Sequence, residues 1–179
     1  MPALKVANLL TSLRGLLIFP MVASILSHSW VLALAVFGLA VSTDLLDGRV
    51  ARWRHEASPL GGVFDHAVDA LFVSTGLGAL AFAGTIPWLL PPLIVVAFVQ
   101  YLLDSSALAG HSLRTSFLGR NNGIGYYVLL GVPVLRDALD LSWPTSSGVL
   151  IFSWLLLIST MASISDRLMT FLLSRKARD

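Results

Sequence analysis

Apolar residues fill most of the chain in six successive runs. Each is too long for a strand and is bounded by turn-forming residues, so the pattern predicts helices throughout. The runs place these helices at roughly 8–27, 30–54, 59–83, 87–108, 122–136 and 147–173. The breaks fall at Ser27 to Ser29, at Ser58 with Pro59, at Gly84 to Pro87 and between Leu141 and Ser147 around Pro144. The fifth run, Gly123 to Leu135, is short for a span of ~20 residues, and Pro133 is expected to end it early. Just before it, Gly119 to Gly125 with Asn121 and Asn122 reads as a loop leading into a helix start, the alternative being the wall of a polar pocket.

Composition decides what surrounds these helices. Of 179 residues, 56% are hydrophobic and 12% charged, too little polar surface to cover a water-soluble globule of this size. The expected fold is all-α: one integral membrane bundle of six transmembrane helices occupying 1–179 as a single domain. The first apolar run reads as a span rather than a secretory signal, because further spans follow it and no convincing small-residue cleavage site ends it. A net charge of +2, with no basic stretch interleaved with aromatics, argues against a nucleic-acid partner. With no cysteine in the chain, any catalytic chemistry must rest on oxygen and nitrogen groups.

Six spans divide the basic residues unevenly. One side receives Lys5, Arg14, Arg49, Arg52, Arg54, Arg114, Arg120, Arg167, Arg175, Lys176 and Arg178, and the other only Arg136. The positive-inside rule then puts both termini on the cytoplasmic side, together with the Arg49 to Arg54 cluster. Dropping one helix would scramble this segregation, so charge supports the helix count independently of hydropathy.

Four carboxylates, Asp44, Asp47, Asp65 and Asp69, interrupt the second and third apolar runs. An aspartate at the centre of a membrane helix costs about 2.5–3.5 kcal/mol, and clustered carboxylates repel one another unless cations or protons accompany them. At 100° per residue, Asp44, Asp47, Gly48, Ala51 and Arg52 fall in one stripe of the second helix. Gly61, Asp65 and Asp69 follow an i, i+4, i+8 progression on the third. The short Trp53 to Ser58 connection is expected to make these helices antiparallel neighbours whose stripes face each other across one pocket. All-oxygen ligation suits a hard cation, Mg²⁺ or Mn²⁺, and four carboxylates are enough for two such ions. A dinuclear site of this kind can clamp a pyrophosphate and stabilise a departing phosphate oxygen. Arg52 adds a guanidinium fork for phosphate.

These residues match the signature DxxDGxxAR(x8)GxxxDxxxD at every fixed position: Asp44, Asp47, Gly48, Ala51, Arg52, Gly61, Asp65 and Asp69. The chain therefore resembles the CDP-alcohol phosphotransferase family. The resemblance implies a membrane enzyme that moves a substituted phosphate from a CDP-linked lipid donor to an alcohol acceptor and releases CMP, in phospholipid biosynthesis. It implies that two divalent cations are held by Asp44, Asp47, Asp65 and Asp69, with Asp69 also acting as the catalytic base. It further implies that Gly48, Arg52 and Ser58 bind the nucleotide donor, that Asn8 and Thr11 approach it, and that the protein is a homodimer. On the residues alone, Asn8 and Thr11 could equally cap the first helix while Arg14 snorkels to the interface. Gly76 and Gly78 could pack helices within or between subunits.

Other readings stay open at this level. A divalent-cation carrier would also place aspartates within the membrane, although it would not need Gly48, Ala51 and Arg52 at these spacings. A non-catalytic CDP-lipid-binding protein would keep the signature and lose turnover. The four histidines look structural, and His66 is expected to point off the carboxylate face. Arg114, Arg120 and Arg167 are candidates for acceptor contacts or for ion pairs. Length fits the phosphatidylglycerophosphate synthase branch, but Arg114 to Tyr127 matches neither that branch nor an inositol-phosphate-accepting member.

Overall fold

In a computed structural model, which describes residues 6–53, 58–104 and 117–176, the chain is an all-helical bundle. Its helices are α1 (Val6–Leu26), α2 (Trp30–Trp53), α3 (Pro59–Phe82), α4 (Leu90–Asp104), α5 (Phe117–Ala138) and α6 (Ser146–Lys176), and no strand occurs among the described residues. Leu9–Leu26, Leu60–Phe82 and Ser146–Met169 are long and apolar enough to cross a membrane, and Trp30–Leu46 and Leu90–Leu103 are shorter apolar segments.

The burial pattern is that of a bundle in lipid. Inside, Met21 and Ile25 of α1, Phe72, Leu77 and Leu80 of α3, and Leu129, Leu130 and Val134 of α5 are fully or almost fully buried. Outside, Phe19, Val31, Phe82, Leu155 and Ile158 stand exposed, an apolar surface that a soluble monomer does not carry. α1 packs on α2 and α3, α5 lies against α2, α3 and α6, and α4 bridges α3 and α6.

Among the described residues α2 and α3 pack more extensively on α1 and α5 than on each other. α1 inserts a cationic side chain where the carboxylates of α2 and α3 meet.

The helix ends follow local chemistry. Ser58 is the N-cap of α3 in extended conformation (φ −143°, ψ 151°), its Oγ accepting from the Gly61 amide at 3.1 Å, and Pro59 follows in the first turn, where its missing N–H is not needed. At the other end Gly84 turns into left-handed backbone (φ 75°), and the Thr85 amide reaches back to the Leu80 carbonyl at 2.9 Å, which closes the helix and frees the chain to turn.

α5 departs most from expectation. It starts at Phe117, so Gly119 to Gly125 is helix and not loop, and it continues past Pro133 to Ala138. Packing outweighs the glycines' weak helix propensity: a Cβ at Gly125 would lie 2.6 Å from Leu156 Cδ2, and one at Gly131 would lie 2.5 Å from Phe37 Cε1. Here glycine is what lets α6 and α2 approach. Gly76 likewise faces Leu130 within the chain, with 2.9 Å to a built Cβ, whereas Gly78 faces open space. Buried Asn122 is satisfied by Ser159, whose hydroxyl donates to its Oδ1 at 2.7 Å.

Candidate active site

The site is organised around Arg14. This side chain is fully buried, which removes the alternative in which it snorkels to the interface. From α1 its Nη1 contacts Oδ1 of Asp65 at 3.0 Å and Oδ1 of Asp69, and its Nη2 lies 3.2 Å from Oδ1 of Asp44. One guanidinium therefore ties α2 to α3. A buried arginine carries a large desolvation cost, and contact with three carboxylates is the arrangement that offsets it while relieving their mutual repulsion. The two requirements, neutralising the acids and solvating the base, are met by the same contacts.

Two further donors fix the carboxylates. Thr11, buried in the second turn of α1 and so not a helix cap, directs its Oγ1 to Oδ1 of Asp65 in a longer contact of 3.4 Å. Tyr127 of α5 donates its hydroxyl to Oδ1 of Asp69 at 3.0 Å.

Asp65, His66 and Asp69 each offer a ligand atom within 4.8 Å of the other two. This corrects the expected orientation of His66. The residue precedes Asp69 by three positions, so the two share a helix surface, and the reach of the imidazole brings it to the carboxylates. The donor set of carboxylate oxygens with one imidazole nitrogen fits a divalent cation such as Mg²⁺ or Mn²⁺.

Asp44, Asp65 and Asp69 are thus brought together, as the sequence pattern predicts. Asp47, Gly48 and Arg52 lie on the backbone of α2, and Asn8 on that of α1, but their side chains are outside the described residues. Ser58 stands at the start of α3, in the turn before Gly61. Arg114 is also outside the described residues. The sequence reading missed Tyr127 and the central position of Arg14. An arginine two turns inside an otherwise apolar helix was the available signal for the latter.

A cavity of about 790 Å³ opens from the carboxylates. Asp44, Asp69 and Tyr127 form one end of it, near His66, Gln100, Tyr101, Arg120 and Arg167. The Arg167 guanidinium sits 5.3 Å from the Tyr101 ring centroid, and the His66 and Tyr101 rings are 6.1 Å apart. Gln100 is held by its amide, which donates to the Ile164 carbonyl at 3.0 Å.

A helical bundle with apolar outer faces and a carboxylate cluster beside a largely apolar cavity defines a multi-pass membrane protein. The sequence matches the CDP-alcohol phosphatidyltransferase family over residues 4–171, and the chain belongs to that family of membrane transferases. It is 33% identical over 164 residues, 87% of this chain and 75% of the relative, to a Mycobacterium tuberculosis protein named "Putative cardiolipin synthase". It is 34% identical over 96 residues to a CDP-diacylglycerol--glycerol-3-phosphate 3-phosphatidyltransferase of Pseudomonas fluorescens, covering 52% of this chain and 49% of that one. Human cardiolipin synthase (CMP-forming) is 41% identical over 64 residues, 35% of this chain and 21% of the relative. No solved structure matches the chain.

Proposed function

We propose that this enzyme transfers a phosphatidyl group from a CDP-linked lipid to the hydroxyl of an alcohol, releasing CMP. The observation that carries the reading is the gathering of Asp44, Asp65 and Asp69 around one guanidinium, with Asp44 and Asp69 lining a largely apolar cavity, in a chain that keeps the full signature of its family. Asp44, Asp47, Asp65 and Asp69 would hold two divalent cations, which when bound supply charge neutralisation for the pyrophosphate. His66 is added to the ligand candidates.

The chain's own residues account for the remaining steps. Asp69 accepts the proton of the acceptor hydroxyl as its oxygen forms a bond to the phosphorus that carries the lipid. The bond from that phosphorus to the CMP oxygen breaks, CMP leaves with the electron pair, and the proton passes from Asp69 to solvent. Tyr127 and Arg14 hold Asp69 by the contacts already described, so that the carboxylate's free rotation does not waste encounters. Gly48, Arg52 and Ser58, with Asn8 and Thr11, are assigned to the donor. Of these, Thr11 is supported by its contact to Asp65.

The charge segregation supports a cytoplasmic location of both termini and of the site. The homodimer remains part of this proposal. The packing of Gly76 against Leu130 uses that glycine inside the subunit.

The test is CMP release by detergent-purified protein given CDP-diacylglycerol, Mg²⁺ or Mn²⁺ and alcohols supplied singly. Release that needs metal and one alcohol, and that is lost in Asp69→Asn with CMP binding retained, is the expected result. A carrier would move Mn²⁺ into vesicles and bind no CMP. A non-catalytic lipid-binding protein would bind CMP with metal and release none from the donor.

A further inference from the structure

Tyr126 and Tyr127 are neighbours on α5 that reach different helices. One residue advances an α-helix by about 100°, so the two rings leave the axis in different directions. Tyr127 reaches Asp69 on α3, as described above. Tyr126 reaches Thr160 on α6, with 2.6 Å between its hydroxyl and Oγ1, where Thr160 is fully buried and Tyr126 nearly so. A second bond settles the direction of this one. Thr160 Oγ1 donates its single proton to the Leu156 carbonyl one turn back, at 2.7 Å, so its oxygen accepts from Tyr126. Two more contacts join the same helices: Asn122, one turn before Tyr126, accepts from Ser159, and Gly125 admits the Leu156 side chain.

This end of α5 also carries Gly119, Gly123 and Gly125, residues of low helix propensity, so its placement depends on what it is tied to. At about 6 Å from a helix axis, a turn of about 15° carries a side-chain tip about 1.6 Å. Such a turn is enough to take the 3.0 Å bond between Tyr127 and Asp69 out of range. Packing alone does not call for the hydroxyls on the α6 side. Phenylalanine would fill the space of Tyr126 and valine that of Thr160, whereas a hydroxyl buried in a membrane bundle has to find a partner. Resting on the transfer reaction set out above and on Asp69 as its base, we propose that Tyr126 and Thr160 are positioning residues for that base. Their bond fixes the rotation of α5 against α6, and that rotation aims the Tyr127 hydroxyl at Asp69. The pair acts through Tyr127 and takes no proton itself.

The experiment measures CMP release from CDP-diacylglycerol with Mn²⁺ and with glycerol 3-phosphate, phosphatidylglycerol or serine supplied singly, and continues with the acceptor that gives the fastest release. Tyr126→Phe and Thr160→Val remove the same bond and keep the volume. Each is expected to lower kcat about fivefold, with the donor KM and the binding of CMP with Mn²⁺ unchanged. Thr160→Ser keeps the hydroxyl and should stay within about twofold of wild type. Combining Tyr126→Phe with Thr160→Val should be no worse than either alone. The deciding comparison is made in Tyr127→Phe, where the hydroxyl that the pair aims is already gone. There Tyr126→Phe should lower kcat by less than about twofold, while it lowers the thermal midpoint by the same amount in both backgrounds. Wild-type kcat in Tyr126→Phe overturns the assignment. So does a fivefold loss that persists undiminished in Tyr127→Phe, which would make the bond a matter of bundle stability alone. No CMP release by the wild type with any of the acceptors would instead overturn the transferase reading, and the assignment with it.

Discussion

Tyr127 on α5 donates a hydrogen bond of 3.0 Å to Oδ1 of Asp69 on α3, linking the catalytic-base candidate to a helix that carries none of the signature residues. The bond fixes which way the carboxylate faces, and an outer partner of this kind is commonly worth 10–100-fold in the function it supports, as an order of magnitude. Tyr127→Phe keeps the ring and removes only the donor. It is expected to lower kcat roughly tenfold, with the KM for the CDP-donor little changed, because the lost contact orients the base and does not touch the nucleotide. Steady-state kinetics separate the two parameters, and an effect confined to donor KM would contradict the assignment.

Arg14 raises a question of stability as much as of chemistry. Replacing it by glutamine leaves three carboxylates, with side chains only 35%, 26% and 20% exposed, facing one another without their common cation. Removing one partner from such a buried network costs on the order of 3–5 kcal/mol, so the thermal midpoint in detergent should fall by many degrees. Arg14→Lys restores the charge without the fork that spans two helices, and it should land between the two. Equal midpoints for wild type and Arg14→Gln would mean that these contacts do not hold the bundle together.

The cation site can be mapped without turnover. Asp65→Asn removes a charged ligand and also the group that Thr11 and Arg14 grip, so Mn²⁺ affinity measured by electron paramagnetic resonance should fall at least ~10-fold. His66→Ala tests whether the imidazole near Asp65 and Asp69 takes part. A comparable loss of Mn²⁺ affinity would make it a ligand, and wild-type affinity would leave it as a neighbour of Tyr101 in the cavity wall.

Helix count and the carboxylate faces were legible because both rest on periodicity, which a single sequence carries in full. The i, i+4, i+8 spacing of Gly61, Asp65 and Asp69 survives into α3 unchanged. Partners drawn from other helices were not legible. Arg14 is 51 residues from Asp65, and Tyr127 is 58 from Asp69, so no local pattern relates them. α5 was misjudged for a related reason: Gly119 to Gly125 reads as loop by propensity, whereas Gly125 admits Leu156 at close range and, farther along the helix, Gly131 admits Phe37. The short connection makes α2 and α3 neighbours, but it could not reveal that α1 places Arg14 among their carboxylates, because a connection fixes only where two chain ends meet.

Ser58 serves two possible roles that one substitution can separate. Its Oγ accepts from the Gly61 amide and so caps α3, the helix that carries Asp65 and Asp69. Ser58→Ala removes both the cap and the hydroxyl, and it should cost about 1 kcal/mol of stability. Ser58→Gly also removes the hydroxyl, but glycine is tolerated at the N-cap for only a few tenths of a kcal/mol. If the hydroxyl also binds the nucleotide, donating its hydrogen to phosphate while its oxygen keeps accepting from Gly61, then both variants should raise the donor KM by a similar factor although only Ser58→Ala lowers the thermal midpoint clearly. If Ser58 acts through the cap alone, Ser58→Gly should keep the wild-type donor KM, and any change in Ser58→Ala should track its lost stability. Measuring donor KM and thermal midpoint on both variants distinguishes a residue that positions the site from one that touches the substrate.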